Sequence, residues 1–289
     1  MTSTEPADGL VPRVGVLGGG RMGAGIAHAF LVRGATVVVV ERDQEAADAA
    51  RARVATSVEA SVERGAVTRS AQDLLAGLTT AVDHGAFAGC DLVVEAVPED
   101  AALKATALAR VEAQLSPGAY LATNTSALSV SELATSLARP ERFLGLHFFN
   151  PVPASKLIEV VLGDRTSDGT VAAARRWVQA LGKTAVVVRD SPGFASSRLG
   201  VAIALEAMRM VEEGVAAPED IDNAMVLGYQ HPVGPLRTTD LVGLDVRLGI
   251  AEHLHATLGE RFAPPQVLRD KVAAGELGRK AGRGFYDWP

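Results

Sequence analysis

Short apolar runs alternate with longer alanine-rich stretches over the first two thirds of the chain. Several of the runs are apolar at consecutive positions, as strands covered on both faces must be. The stretches between them are helical in their spacing. This alternation is typical of a parallel β-sheet wound with α-helices, so we predict an α/β fold. The predicted strands cover residues 13–17, 36–41, 91–96, 120–123, 143–147, 157–161 and 185–188.

The pattern changes after Pro192. Strand-like runs end there, and the segments 195–213 and 218–227 carry Leu, Met, Ile and Val at helical spacing. The boundary between two domains is therefore placed at the turn around residue 190. The predicted organisation is a flexible tail over residues 1–12, an α/β domain over 13–190 and a smaller all-α domain over 191–289.

Composition excludes several classes of function. The net charge is −6, and 28 basic and 34 acidic residues are mixed along the chain, so no basic stripe exists for nucleic acid. No apolar run approaches the roughly 18 residues of a membrane span. The single cysteine, Cys90, excludes an internal disulfide and fits a reducing compartment, so we expect a cytoplasmic protein. We expect Cys90 to be a small buried residue, with a nucleophilic role as the alternative.

The first predicted strand leads directly into a glycine-rich turn. Gly18, Gly20 and Gly23 form the pattern Gly-x-Gly-x-x-Gly, and an alanine-rich helix follows. In this strand-turn-helix setting the first glycine permits the tight turn, the second lets the backbone approach a pyrophosphate, and the third lets helix and strand pack closely. The helix N-terminus offers N–H groups to the anion. We therefore predict a Rossmann-type doubly wound sheet that binds a dinucleotide.

The residue at the end of the second predicted strand indicates which dinucleotide. Glu41 follows the glycine turn by about 20 residues, where a carboxylate accepts hydrogen bonds from the adenosine ribose. Its charge would repel a 2′-phosphate, which favours NAD over NADP. The adjacent Arg42 could stack on or pair with such a phosphate, so NADP remains an alternative.

A histidine and a glutamate lie at equal distances on either side of Pro153. If the strands that carry His147 and Glu159 form a simple hairpin, the two residues face one another at the roughly 5 Å of cross-strand pairs. The carboxylate would fix the imidazole tautomer, and the imidazole could take a proton from a hydroxyl as hydride leaves its carbon. The alternative is that His147 only packs between apolar neighbours. The glycine turn, Glu159 and Asn150 together favour catalysis.

Several separate stretches match one enzyme family in order. With them the chain resembles the 3-hydroxyacyl-CoA dehydrogenases, particularly the short bacterial 3-hydroxybutyryl-CoA dehydrogenases. The resemblance implies an NAD-dependent oxidoreductase that interconverts a 3-oxoacyl-CoA and the (S)-alcohol. It also implies a homodimer through the C-terminal domain, whose apolar helices are too few to cover one another. The matching stretches are residues 18–25, 91–99, 124–126, 147–153, 156–160, 190–194 and 277–286.

The resemblance also implies roles for individual residues. His147 and Glu159 would form the catalytic dyad, Ser126 would hydrogen-bond the substrate oxygen, and Asn150 would orient substrate and nicotinamide. Ser126 has an alternative as an ordinary cap or turn residue. Cofactor contacts are implied for Met22, Glu99, Lys104 and Asn124, in addition to the glycines and Glu41.

Contacts to the acyl-CoA substrate are implied at three further positions. Ser57 and Arg64 would bind the CoA moiety, with solvated helix surface as the alternative. Ser197 stands where the family typically has an asparagine, so the substrate contact there is altered or made through water. The segment 228–240 departs from the family pattern too, which leaves the acyl chain length open.

Other functions remain as alternatives. The acyl group could be carried by acyl carrier protein, or the chain could be a catalytically silent NAD-binding homologue, which the departure at Ser197 keeps open. A β-hydroxyacid dehydrogenase would use a catalytic lysine and would not explain the pairing of His147 with Glu159. His253 and His255 have the wrong spacing for ligands on one helical face, so no metal is predicted.

Overall fold

The computed structural model describes residues 9–289, and the chain divides into two compact units. The first unit ends at Asp190 and the second spans Ser191–Pro289. Residues 1–8 of the predicted flexible tail lie outside the described residues. Leu10 is buried and Val11 packs against the core of the first unit. The packed part of this unit therefore begins before Arg13, where the sequence pattern placed its start.

The first unit is built on one eight-stranded sheet. Its strands are β1 (Arg13–Leu17), β2 (Thr36–Val40), β3 (Leu78–Ala81), β4 (Leu92–Glu95), β5 (Tyr120–Thr123), β6 (Phe143–Phe148), β7 (Leu157–Leu162) and β8 (Thr184–Arg189). They lie in the order β3-β2-β1-β4-β5-β6-β7-β8. The pairs from β3 across to β6 are parallel, β7 is antiparallel to β6, and β8 is parallel to β7.

Helices connect the parallel strands, and several begin at a side chain that caps them. Asp43 and Asp100 each accept a hydrogen bond from a backbone N–H in the first turn of the helix that follows. Such caps satisfy N–H groups that lack a partner inside the helix. The helices are α1 (Arg21–Leu31), α2 (Gln44–Glu63), α3 (Ala71–Leu75), α4 (Ala101–Glu112), α5 (Val130–Leu133) and α6 (Asp168–Ala180). Short 3₁₀ turns cover His84–Phe87, Ala134–Ser136 and Pro140–Arg142.

The predicted doubly wound sheet is confirmed, and each predicted strand is present. The sequence pattern missed β3, whose sequence LTTA has no continuous apolar run because it lies at the sheet edge and is half-exposed. Cys90 is a buried free thiol, and burial raises its pKa. The thiolate is therefore disfavoured at Cys90, which supports its interpretation as a small core residue.

The second unit is helical and has its own core. Its helices are α7 (Ser196–Glu212), α8 (Pro218–Tyr229), α9 (Pro235–Val242), α10 (Leu244–Leu258) and α11 (Gln266–Ala273). The buried carboxylate of Asp240 fixes the last residues of the chain by accepting hydrogen bonds from the backbone N–H groups of Phe285 and Tyr286 and from Nε1 of Trp288. Across residues 9–289, none of the helices combines the length and the apolar character that spanning a membrane requires.

Candidate active site

The glycine turn between β1 and α1 has the geometry of a phosphate site. Gly18 has a φ of +89°, which a side chain would strain, and a Cβ at Gly23 would lie 1.8 Å from the carbonyl oxygen of Gly18. Gly20 differs, because a Cβ there would meet nothing within 4 Å. Gly20 is also the N-cap of α1, and no side chain caps the helix. Open space thus lies at Gly20, beside uncapped N–H groups that suit a pyrophosphate.

Glu41 lies beside this turn. Its Oε1 accepts a hydrogen bond of 2.7 Å from the backbone N–H of Gly19, and its Oε2 accepts one of 3.1 Å from the N–H of Arg42. Gly18, Glu41 and Arg42 line a cavity of about 450 Å³ whose other walls include the apolar side chain of Val97. Arg110 and His84 line the cavity too. A largely apolar cavity with a carboxylate at the glycine turn suits an adenosine, so these residues fit the adenosine half of NAD. Predicted cofactor contact Met22 lies in the first turn of α1 and packs partly against the core.

The hairpin of β6 and β7 brings the predicted dyad together. His147 and Glu159 are direct cross-strand partners, and Nδ1 of His147 lies 2.8 Å from Oε2 of Glu159. Glu159 has no exposed surface and His147 is 7% exposed. An ionised carboxylate only accepts hydrogen bonds, so the imidazole tautomer that suits this pair has its hydrogen on Nδ1. The ring of His147 also contacts that of Phe149, with centroids 4.4 Å apart.

Glu99 organises the loop that follows β5. Its Oε1 accepts hydrogen bonds from Oγ1 of Thr125 (2.5 Å), the N–H of Ser126 (2.9 Å) and the N–H of Ala127 (3.1 Å). Oγ of Ser126 lies 3.4 Å from the same oxygen. Burial of the Glu99 carboxyl opposes its ionisation, but Lys104 and these donors outweigh burial and lower its pKa. Glu99 therefore holds Ser126 in place as a carboxylate.

Lys104 is buried beside two carboxylates. The side chain is 1% exposed, and Nζ lies 2.7 Å from Oε1 of Glu95, 3.0 Å from the carbonyl oxygen of Val97 and 3.4 Å from Oε2 of Glu99. The contacts with Glu95 and Val97 are hydrogen bonds, and the contact with Glu99 is an ion pair. The cofactor contact predicted for Lys104 stays a prediction, and its buried partner Glu95 was not anticipated from the sequence.

The predicted site residues described above lie at the carboxyl ends of the parallel strands. The glycine turn, Glu99 and the loop after β5 each follow the carboxyl end of a parallel strand, and such ends lie along the same edge. Oδ1 of Asn124 accepts a hydrogen bond of 2.9 Å from the N–H of Phe148, which joins the loop after β5 to the end of β6. The predicted cofactor contact Asn124 is thus held next to the strand of His147.

The remaining predicted contacts line two cavities or lie in the second unit. Asn150 and Ser57 line a cavity of about 550 Å³. Ser57 and Arg64 line one of about 630 Å³ together with His28 and Lys183. Ser197 lies in the first turn of α7, in the second unit, and is half-buried.

The sequence did not predict the buried pair of His28 and Ser61, which line the 630 Å³ cavity. Nε2 of His28 lies 2.8 Å from Oγ of Ser61, and Nδ1 has no hydrogen-bond partner. Burial, followed by the charges of Arg64 and Lys183, lowers the pKa of His28 to about 4. His28 occupies an alanine-rich helix and its partner lies far along the chain on α2, so no local spacing could have revealed the pair.

Comparison with protein families gives matches over nearly the whole chain. Residues 13–191 match the family model described as "3-hydroxyacyl-CoA dehydrogenase, NAD binding domain". Residues 193–288 match the one described as "3-hydroxyacyl-CoA dehydrogenase, C-terminal domain". Two family models for one kind of dehydrogenase therefore follow one another along the chain.

Individual relatives agree with the family models. A protein of Deinococcus radiodurans named probable 3-hydroxybutyryl-CoA dehydrogenase is 41% identical over 277 residues, which are 96% of this chain and 100% of the relative. A 3-hydroxybutyryl-CoA dehydrogenase of Mycobacterium tuberculosis is 41% identical over 282 residues, which are 96% of this chain and 99% of the relative. The crystal structure of (S)-3-hydroxybutyryl-CoA dehydrogenase from Ralstonia eutropha has a TM-score of 0.92 at 37% identity and covers 96% of this chain and 99% of its own.

Proposed function

The chain belongs to the 3-hydroxyacyl-CoA dehydrogenase family, and on this premise we propose that it transfers hydride between NAD and the 3-hydroxy group of 3-hydroxybutyryl-CoA, with His147 as general acid and base. The observation that carries the proposal is the 2.8 Å contact between His147 and Glu159 at the edge of the sheet that holds the glycine turn. His147 and Glu159 are both buried. A buried carboxylate stabilises a neighbouring imidazolium more strongly than a solvent-exposed carboxylate does.

In the oxidative direction Nε2 of His147 takes the proton of the substrate hydroxyl. The electron pair of the broken O–H bond forms the carbonyl as the C3–H bond gives up its hydride. Glu159 then balances the charge of the imidazolium through the hydrogen on Nδ1. In the reductive direction His147 returns the proton to the oxygen. NAD, when bound, supplies a nicotinamide ring that accepts or returns the hydride.

Ser126 and Asn150 act in this proposal as substrate-orienting groups. The backbone N–H of Ser126 donates to Glu99, and its Oγ lies 3.4 Å from the same carboxylate oxygen. In the proposal the Ser126 hydroxyl donates to the substrate oxygen. Asn150 follows β6 shortly after His147 and lines a cavity that extends to Ser57. Pre-oriented hydrogen-bond donors of this kind stabilise charge that develops on oxygen in the transition state.

Glycine and carboxylate positions support NAD as the dinucleotide. The open space at Gly20 would hold the pyrophosphate, and Glu41 would accept from the adenosine ribose. The single charge on Glu41 disfavours a 2′-phosphate nearby. Arg42 is largely exposed and its Nε lies 3.0 Å from Oδ2 of Asp43, so part of its charge is already balanced.

The charge of the 630 Å³ cavity favours free CoA over a carrier protein. Among the described residues that line it, Arg33, Arg64 and Lys183 are cationic and none is acidic. Ser57 lies among them. Coenzyme A ends in a nucleotide with several phosphate charges, whereas a carrier-protein thioester presents only the pantetheine phosphate there. We therefore infer that Ser57 and Arg64 contact the CoA nucleotide.

The second unit supports a homodimer. Leu199 on α7 and Leu227 and Tyr229 on α8 are large apolar side chains with 63%, 73% and 75% of their surface exposed. Exposed apolar surface of this kind is commonly covered by a second copy. Light scattering after gel filtration should give twice the chain mass of 30.0 kDa. A mass of one chain at micromolar concentration would contradict the homodimer.

Turnover of acetoacetyl-CoA decides between the proposed activity and its alternatives. Oxidation of NADH, followed by its absorbance, is expected with acetoacetyl-CoA and should be much slower with acetoacetyl carrier protein or with NADPH. A higher rate with the carrier-protein substrate would assign the chain to carrier-bound acyl groups. Binding of NADH without turnover of either thioester would indicate a catalytically silent homologue.

A further inference from the structure

Arg247 places an unpaired positive charge inside the second unit. Its side chain lies on α10 and is 8% exposed. Among residues 9–289, Nε of Arg247 has no hydrogen-bond partner, and no carboxylate forms an ion pair with the guanidinium. Burial lowers the pKa of Arg247, but the side chain stays protonated because an arginine pKa lies far above neutrality. Arginine is almost never fully buried without a partner, so this cation suits an anionic ligand.

The guanidinium of Arg247 lies against α7 at a residue that has no side chain. A Cβ at Gly200 would lie 3.5 Å from Nη1 and 3.9 Å from Nη2 of Arg247. Gly200 thus leaves space beside the two terminal nitrogens, which a larger residue would fill. Leu244 and Ala251, one turn before and one turn after Arg247 on α10, are fully buried and belong to the apolar core of the unit. An apolar setting strengthens the attraction between a guanidinium and an anion.

Ser197 relates this cation to the substrate of the proposed function. Ser197 and Gly200 are three residues apart on α7, so they lie on one side of the helix and about 4.5 Å apart along its axis. The family resemblance implies that Ser197 contacts the substrate. We infer that Arg247 binds a carboxylate at the far end of the acyl chain, so that the substrates include 3-hydroxyacyl-CoA thioesters whose acyl group ends in a carboxylate. The inference rests on the proposed function for the place of the acyl group at Ser197.

A carboxylate fits Arg247 better than a phosphate of the substrate does. The planar guanidinium presents parallel N–H groups that match the two oxygens of a carboxylate. The phosphates of CoA already have three cations in the first unit under the proposed function, namely Arg33, Arg64 and Lys183. A helix rise of about 4.5 Å spans only a few carbon–carbon bonds, which predicts an acyl group of about six carbons with its carboxylate at C6.

Two thioesters that differ only at the end of the acyl chain test the inference. 3-Oxohexanoyl-CoA and 3-oxoadipyl-CoA have the same six-carbon chain, which ends in a methyl group in the first and in a carboxylate in the second. With NADH, the parent enzyme should reduce 3-oxoadipyl-CoA with a kcat/KM at least about tenfold higher, because charge-assisted hydrogen bonds in an apolar setting outweigh the contacts of one methyl group.

Arg247→Met keeps an unbranched side chain but removes its charge. The ratio of kcat/KM for 3-oxoadipyl-CoA to that for 3-oxohexanoyl-CoA should fall by at least about tenfold. The thermal midpoint should not fall, because the substitution removes a buried charge that has no partner. Gly200→Leu keeps the cation but fills the space beside it, and it should lower the ratio too. The matched control is Arg209→Met on α7, whose guanidinium already contacts Glu206 and the carbonyl oxygen of Ala263, and it should leave the ratio unchanged.

Equal kcat/KM values of the parent enzyme for the two six-carbon thioesters would overturn the inference. So would an Arg247→Met variant that keeps the parent ratio but forms a weaker homodimer, since a carboxylate of a second copy would then pair with Arg247.

Acetoacetyl-CoA separates this inference from the proposed function. If the parent reduces acetoacetyl-CoA but does not prefer the carboxylate substrate, only the inference is wrong. If it reduces none of the three thioesters, the proposed function is wrong. Calorimetric titration with the two six-carbon thioesters then still tests Arg247, because 3-oxoadipyl-CoA should bind the parent at least about tenfold more tightly than 3-oxohexanoyl-CoA and Arg247→Met should abolish the difference.

Discussion

Nδ1 of His147 and Oε2 of Glu159 lie 2.8 Å apart across neighbouring antiparallel strands. Both side chains project from the sheet itself, so their distance is set by strand pairing and not by a loop. A second histidine and carboxylate pair, His255 with Glu260, has a similar separation of 3.0 Å but lies at the surface. Solvent screens the exposed pair, which makes it a natural control for the buried one.

Replacing His147 should abolish most of the turnover. His147→Gln keeps a polar side chain but cannot transfer the proton, so kcat with acetoacetyl-CoA should fall by about 100- to 10,000-fold. The affinity for NADH, measured by fluorescence titration, should change little. His255→Gln should retain the parent rate. Equal rates in the two variants would show that His147 is not the general acid and base.

Gly20 and Gly23 should respond differently to the same added methyl group. Gly20→Ala places it in open space at a φ of −61°, so thermal stability should be unchanged while NADH affinity falls by about tenfold, or about 1.4 kcal/mol. Gly23→Ala forces it against the carbonyl oxygen of Gly18 and should cost about 1–3 kcal/mol of folding stability. If Gly20→Ala bound NADH as tightly as the parent, the pyrophosphate would not lie at this turn.

Glu41 should determine the preference for NADH over NADPH. Glu41→Gln keeps an oxygen for the N–H of Gly19 but removes the charge that repels a 2′-phosphate. We expect the ratio of kcat/KM for NADPH to that for NADH to rise by about tenfold. Adding Arg42→Ala should lower it again if that guanidinium attracts the phosphate. A ratio insensitive to Glu41→Gln would place the adenosine ribose elsewhere.

His28 should make the folded state sensitive to acid. Its pKa is about 4 in the folded protein and 6.5 ordinarily, so the unfolded chain takes up the proton first as pH falls. Stability is therefore lost between pH 6.5 and pH 4, by about 3 kcal/mol at roughly 1.4 kcal/mol per pH unit. His28→Gln carries no titrating group, and its thermal midpoint should fall less from pH 7 to pH 4.5. Identical falls in parent and variant would contradict this linkage.

The sheet could be predicted from the sequence because most of its strands are marked by a local run of apolar residues. Continuous apolar runs such as those of β1 and β5 are required wherever helices cover both faces, and their bounds were predicted to the residue. The pairing of His147 with Glu159 was also accessible, since a hairpin fixes which residues oppose one another. Only β3, half-exposed at the edge, lacked such a signal.

What the sequence could not reveal is the state of charged side chains on helices. Lys104 stands in a stretch that looks like an ordinary amphipathic helix, and lysines in such helices are usually exposed. Its burial depends on Glu95 at the end of a strand, and nothing in local spacing links the two. The same applies to His28 and Ser61, which lie on different helices. Long-range polar pairs need the packed structure to become visible.

Asp240 holds residues 285–288 in place through hydrogen bonds. Three N–H donors within residues 285–289 hydrogen-bond a carboxylate that is 1% exposed, and Trp288 supplies one of them. A nonsense mutation or a protease cut just after Gly284 would remove these three donors from a buried carboxyl group, at a penalty of several kcal/mol. Fragments ending there should accumulate as unfolded helical domain, so a clipped preparation would lose its second unit before its first.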